Sequence, residues 1–375
     1  VNDERVNSGH RSTRHLNPTP EDIRAAAELL GRDELVALPT ETVYGLAGNA
    51  FREDAALRIF SAKERPAFDP LIVHVSEKFL LDSRGPLPAL AAEGILSAEV
   101  ITWPHADRIT ALMRAFWPGP LTLLLPKGNR IPDLVTSGLP AVGIRMPAHP
   151  VFQAVLSETG FPLAAPSANR FGRISPTTAA HVEQELAGRI AAILDGGPCA
   201  VGVESTILGV DPCGSARLLR PGQISAARLE EILGARVIAE SGVVEKNSAA
   251  LAPGMSDQHY APGKPLYLIP GPLHSRQELD AHLERARLTG TPGLLTQAPP
   301  DFETGIHVSL CLSATGSCEE AARNLFSMLR ILDQDPSISH MIADLPPMPR
   351  QGLSSAIADR LNRASINKPL LTGSL

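Results

Sequence analysis

The chain has 375 residues, 43% hydrophobic and 20% charged, with a formal net charge of −6. That length exceeds what one core usually supports, so two domains are expected. The acidic balance gives no global pull on nucleic acid, and no run approaches the roughly 18 apolar residues of a membrane span.

Val1 to Thr19 is polar, with scattered arginine and histidine and no apolar stretch. Residues 1–19 read as a flexible N-terminal arm rather than a secretory leader, and a cytoplasmic location is expected. Thr19-Pro20 then supplies a cap and a first-turn proline, apolar residues recur at helical spacing from Glu21 to Leu30, and Gly31 closes the helix. Glu34 to Pro39 reads as a short strand, Asp54 to Lys63 as a helix and Leu71 to Val75 as a strand. Further strands are expected near Leu121 to Leu125, Val142 to Arg145, Ile190 to Leu194 and Glu204 to Leu208, with helices near Val151 to Thr159 and Thr177 to Leu186. This alternation predicts an α/β fold, an open twisted sheet with helices over residues 20–238. The stretch from Glu93 to Arg108 carries no assignable role.

From Ala239 to Pro265 the chain carries glycine, proline, serine and an asparagine with few large apolar residues, which marks a linker at 239–265. A second alternation follows. Leu266 to Ile269, Gly293 to Thr296, Ile306 to Cys311 and His340 to Ala343 read as strands, and Arg276 to Arg287, Glu319 to Leu332 and Ser354 to Ala364 as helices. Residues 266–375 are therefore expected to form a smaller, Rossmann-like α/β domain.

The common nucleotide loops GxxxxGK[ST] and GxGxxG are absent, as are HExxH and GxSxG. Cys199, Cys213, Cys311 and Cys318 form no CxxC pair and have no histidines at zinc spacing, so neither a disulfide framework nor a metal site is expected. Pro39 to Leu46 places hydroxyl, carboxylate and phenol groups beside Gly45 at a strand end, where open α/β sheets put ligands; a capped strand-to-helix turn fits the same spacing. Lys63 and Arg65 end a helix before Pro66, two cations two residues apart whose placement the helix dipole alone can account for. Pro166 to Gly172 and the helix start at Ser175 to Thr178 offer small donors suited to a phosphate, or a plain turn.

These segments occur in an order that resembles the YrdC-like threonylcarbamoyl-AMP synthases in their long, two-domain form. The resemblance runs through Pro39 to Leu46, Ala62 to Pro66, Pro70 to Val75, Trp117 to Leu123, Val142 to Pro147, Ala165 to Asn169, Ser175 to Thr178, Leu194 to Pro198, Val201 to Thr206 and Leu219 to Gly222. Pro253 to Met255 and His259 to Pro262 are similar to the long form's linker, and Gly352 to Ala364 to its terminal helix. Where that family usually has serine, arginine and asparagine, this chain has Ala252, Gln258 and Asp69.

The resemblance implies a large mixed sheet and the ATP-dependent synthesis of threonylcarbamoyl-AMP from L-threonine and bicarbonate, with pyrophosphate released. It makes Lys63 and Arg65 catalytic phosphate holders, with Ser167, Asn169, Ser175, Arg220 and Tyr260 completing the ATP site. Thr40, His74, Arg145, Ser205 and the Ala165 backbone would receive threonine. His74 on an apolar strand, and Tyr44, fit equally as buried core residues. Magnesium is expected to arrive on the ATP phosphates. Tyr260 would belong to a lid over the site. The product would pass to a tRNA threonylcarbamoyl transferase, with neither a membrane nor stable nucleic-acid binding required. Two rivals are an RNA-binding protein of the same fold, which acidity and 4% aromatic content oppose, and a carbamoyl-transfer enzyme acting on another substrate.

Overall fold

The computed structural model describes residues 12–66, 68–239 and 260–365. The first part of the chain runs β1 (Arg14–Leu16), α1 (Pro20–Gly31), β2 (Val36–Leu38), β3 (Gly45–Asn49), α2 (Glu53–Lys63), β4 (Ile72–His74), α3 (Pro86–Ala92) and α4 (Ala106–Phe116). It continues with β5 (Leu121–Pro126), β6 (Ala141–Arg145), α5 (Pro150–Thr159), β7 (Leu163–Ala164), α6 (Ala179–Leu186) and β8 (Ala192–Leu194). β9 (Thr206–Val210), β10 (Ala216–Arg220), α7 (Ala226–Leu233) and β11 (Val237–Ala239) complete it.

Local chemistry marks these elements. Thr19 Oγ accepts the amide of Asp22 and Pro20 opens α1, while α5 starts at Pro150 and ends on Gly160 in the left-handed region. Residues 14–16 correct the expectation of a flexible arm through residue 19. They form β1, pairing parallel to β8, because Leu16 is buried among α1 and β8 and Thr13 Oγ donates to the Ile190 carbonyl. The stretch left without a role supplies a short 3-10 turn, Ala98–Thr102, and the start of α4, whose Ile109 and Leu112 enter the main core.

One 11-stranded sheet results, in the order β1-β8-β2-β3-β7-β4-β6-β5-β9-β10-β11. Parallel pairs such as β4 with β6 sit beside antiparallel ones such as β2 with β3, so the sheet is mixed. Alternation along the strands buries both faces. Val36 and Leu38 pack with Leu30 of α1 and Phe152 of α5, whereas Ala37 points to the other face with Ile59 of α2 and Val182 of α6.

The second sheet is wholly parallel and smaller. It is built from β12 (Leu266–Ile269), α8 (Arg276–Ala286), β13 (Pro292–Thr296), β14 (Val308–Cys311), α9 (Cys318–Gln334), β15 (His340–Asp344) and α10 (Leu353–Ala364), with strand order β12-β15-β13-β14. Leu268, Leu295, Met341 and Ala343 face α9 and α10, while Ile269, Leu294 and Ile342 face Leu279 of α8. Helices thus cover opposite faces, as right-handed crossovers require. Val43, Ile174 and Val203 from the large-sheet domain join the α9 and α10 core, so the two domains share one apolar cluster. Among the described residues no helix is long and apolar enough to cross a membrane.

Candidate active site

The segment from Pro39 to Tyr44 does not lead into a helix: it joins β2 to the antiparallel β3. Thr40 Oγ accepts the amides of Thr42 and Val43, each at 3.1 Å, and donates to the Val43 carbonyl at 2.6 Å, which locks the turn. Tyr44 is buried, with its hydroxyl donated to the Gly197 carbonyl at 2.8 Å, the core reading of that residue. Across from it, Ala165 to Ser167 leaves β7, and Ser167 forms a bridge with Gly45. A Cβ on Gly45 would stand 3.2 Å from that of Ala165, so glycine is what lets the two segments approach.

Strand and helix ends bring the cations to this place. Lys63, the last residue of α2, is buried and donates to the carbonyls of Ser167 and Asn169. Burial, and then the neighbouring Arg65 charge, hold its pKa well below the usual lysine range. Arg65 pairs with Asp69 at 2.9 Å and also donates to the Asp69 and Pro70 carbonyls. Arg145 ends β6; it lies 2.7 Å from Glu41 as an ion pair and donates to Thr42 Oγ at 3.0 Å. Arg220 ends β10 and donates to both the carbonyl and the hydroxyl of Ser205 at 3.0 Å. Gly222 follows, and a Cβ there would lie 2.4 Å from the Thr206 nitrogen, so the arginine is delivered by a turn that tolerates only glycine.

Arg65, His74, Arg145, Ala165, Ser167, Arg220 and Tyr260 line one hollow together with Thr42 and Glu204. Five other residues expected at the site stand directly behind that wall. Lys63 and Asn169 meet at the Asn169 carbonyl, Thr40 contacts Thr42, Ser205 holds Arg220, and Ser175 donates to Glu204 at 2.5 Å. Asn169 also donates its amide to the Arg170 and Arg173 carbonyls, leaving its buried Oδ without a hydrogen-bond partner. His74 is neutral. Burial and then the Arg145 charge lower its pKa to about 3, and its ring leans on Phe152 with centroids 5.2 Å apart.

Tyr260 closes the hollow from above. It adopts φ 66° and stacks on Phe326 of α9 at 5.6 Å between centroids. Burial raises its hydroxyl pKa to about 12, and the next residue, Ala261, donates its amide to the Gly172 carbonyl at 2.6 Å. Ala252, Pro253 to Met255, Gln258 and His259 lie outside the described residues. The space left in the hollow is about 40 Å³, far below what a nucleotide needs.

The second domain reaches directly into this arrangement. Arg360 of α10 is fully buried, pairs with Glu204 at 3.0 Å, donates to the Pro221 carbonyl at 2.8 Å and lies 5.6 Å from the Tyr260 ring centroid. Gly202, at φ 83°, sits where a Cβ would be 2.4 Å from the Ala322 carbonyl oxygen of α9. Sequence reasoning missed Glu41, Thr42, Glu204 and Arg360 as site residues. The first three lie inside the motifs quoted above and Arg360 inside the terminal-helix segment Gly352 to Ala364, where nothing in the local sequence signals its buried ion pair.

Residues 28–222 match the Sua5, YciO and YrdC family model, described as telomere recombination, and residues 224–365 match a model described as threonylcarbamoyl-AMP synthase, C-terminal domain. A Bacillus subtilis protein named threonylcarbamoyl-AMP synthase is 38% identical over 357 residues, spanning 94% of this chain and 95% of its own. This chain belongs to the threonylcarbamoyl-AMP synthase family. A family member from Pyrococcus abyssi is 36% identical over 345 residues, 92% of this chain and 94% of that one. The crystal structure of Pyrococcus abyssi Sua5 complexed with L-threonine superposes with a TM-score of 0.79 at 34% identity, covering 94% of this chain and 97% of that one. The boundary between the two family models falls before α7 and β11, although β11 pairs with β10 and belongs to the large sheet.

Proposed function

We propose that this chain makes threonylcarbamoyl-AMP from L-threonine, bicarbonate-derived carbon dioxide and ATP, and hands it to a transferase that modifies tRNA. The observation that carries this reading is the convergence of Arg65, Arg145 and Arg220 with Ser167 and His74 on one hollow, with Lys63 behind it. Family membership and the threonine complex of the Pyrococcus abyssi protein support it.

Two of the arginines are already paired with carboxylates, Arg65 with Asp69 and Arg145 with Glu41. Substrate binding then becomes an exchange of anions. Threonine's carboxylate replaces Glu41 on Arg145, and ATP phosphates replace Asp69 on Arg65, each guanidinium offering a planar fork. Threonine's amine adds to carbon dioxide and loses a proton; a carbamate oxygen attacks the α-phosphorus, the bond to the bridging oxygen breaks, and pyrophosphate leaves. Lys63, Arg65 and Arg220 stabilise the charge gathering on the phosphates, so the chain supplies position and electrostatics rather than a nucleophile. Neutral His74 gives threonine a polar wall without a competing charge.

Among the described residues no cluster of three His, Cys, Asp or Glu side chains is placed to hold a metal ion. We read magnesium as arriving on the ATP phosphate oxygens, where it would neutralise phosphate charge. Because the hollow has so little free space, Tyr260 must withdraw to admit the substrates and return to shield the labile mixed anhydride from water.

Pyrophosphate release measured with threonine, bicarbonate or magnesium omitted in turn tests the reading, and all three omissions should abolish it. Release that proceeds at full rate without threonine, or unchanged rates in both Lys63→Ala and Arg65→Ala, would overturn it.

A further inference from the structure

A second cavity, about 430 Å³, opens at the carboxyl ends of the four parallel strands in the smaller domain. Its position follows from topology. β12 and β15 are neighbours, yet the chain leaves β12 toward α8 on one face of the sheet and leaves β15 toward α10 on the other. Connections that part to opposite faces leave a crevice between them, the place where open α/β sheets bind ligands.

The crevice has apolar walls from Pro272, Pro299 and Pro346 around one buried carboxylate, Asp344, at the end of β15. The amides of Gln297 and Leu273 hold that carboxylate at 2.7 and 3.4 Å. Burial nevertheless raises its pKa to about 7. A desolvated, perturbed acid within a shaped cavity is the kind of group that ligand sites use. The other ionisable groups on the lining are Asp301, His274 and Cys318, with no lysine or arginine among them. Arg350 lies outside the lining, with its guanidinium on the Pro346 and Pro270 carbonyls. The first turn of α9 approaches the edge, but Ser317 caps it and Glu319 and Glu320 bring carboxylates there, so that end offers no anion site.

We propose that this cavity is a binding site for a small organic cation, an amine whose ammonium meets Asp344 while its apolar body lies against the prolines. The site is separate from the nucleotide hollow and uses none of its residues.

The charge series n-butylamine, n-butanol and butyrate presents one shape as cation, neutral molecule and anion, and saturation-transfer NMR on the full chain reads their binding. At pH 8, where Asp344 is ionised and the amine is charged, n-butylamine should bind in the millimolar range, at least about tenfold more tightly than n-butanol or butyrate. Asp344→Asn should weaken the amine about tenfold. Ala298→Trp should abolish binding by filling the mouth from an exposed position, with no core side chain disturbed. Butyrate or n-butanol binding as tightly as the amine would overturn the proposal, as would unchanged amine binding in Ala298→Trp.

Discussion

The two sheets of this chain treat charge in opposite ways. At the large sheet, Arg65, Arg145 and Arg220 line a hollow with Glu204 that has almost no free space, with Asp69 and Glu41 paired to the first two and Lys63 behind the wall. At the small sheet, one buried carboxylate sits in a roomy crevice with apolar walls. A crowd of internally paired ions is a site at rest, in which binding must break ion pairs and move Tyr260. An open crevice with a single desolvated acid is already shaped for its occupant.

The largest expected effect comes from the contact that joins the two regions. Arg360→Ala strands Glu204 in a dry place and should cost about 3–5 kcal/mol in a urea melt, whereas Arg360→Met combined with Glu204→Gln should recover most of it. Equal losses in the single and double variants would show that packing, not charge, unites the domains. Next, Lys63→Ala should lower pyrophosphate release by at least about 100-fold with little change in melting temperature.

The crevice predicts a pH signature. Asp344 has a folded pKa near 7, above the ordinary aspartate value of 3.8, so the folded state holds the extra proton between those limits. Its contribution to stability is full below pH 3.8 and is lost as pH rises toward 7, then stays flat. Asp344→Asn keeps the neutral form, so its stability relative to wild type should rise from pH 4 to pH 8 by up to about 4 kcal/mol. A constant difference across that range would mean the carboxylate is not desolvated.

The smallest effects sharpen the idea of a resting, self-paired site. Glu41→Gln should lower the KM for threonine and Asp69→Asn the KM for ATP, each about fivefold (~1 kcal/mol), with kcat little changed. A rise in both KM values would show that these carboxylates orient the arginines instead of competing for them.

Much of this fold was legible from periodicity, because α1, α5, β12 and α9 carry caps, stops and apolar alternation within their own segments. β1 was not legible: three residues become a strand only because β8 offers an edge and Leu16 a place to be buried. The turn after Leu38 was left open between two readings, and what decides it is the pairing of β2 with β3, a long-range choice. At the site, ordered motifs named the residues, but their partners came from elsewhere. That Thr40 locks a turn while Thr42 faces the hollow depends on hydrogen bonds that spacing alone does not encode. Arg360 was invisible because its partner lies 156 positions away and in another domain.

That distant partnership also constrains inheritance. A positive and a negative side chain, each contributed by a different module, neutralise one another where water does not reach. A descendant that discarded the trailing module would be left with an orphaned acid beside its own catalytic groups, and would have to alter position 204 or let solvent in.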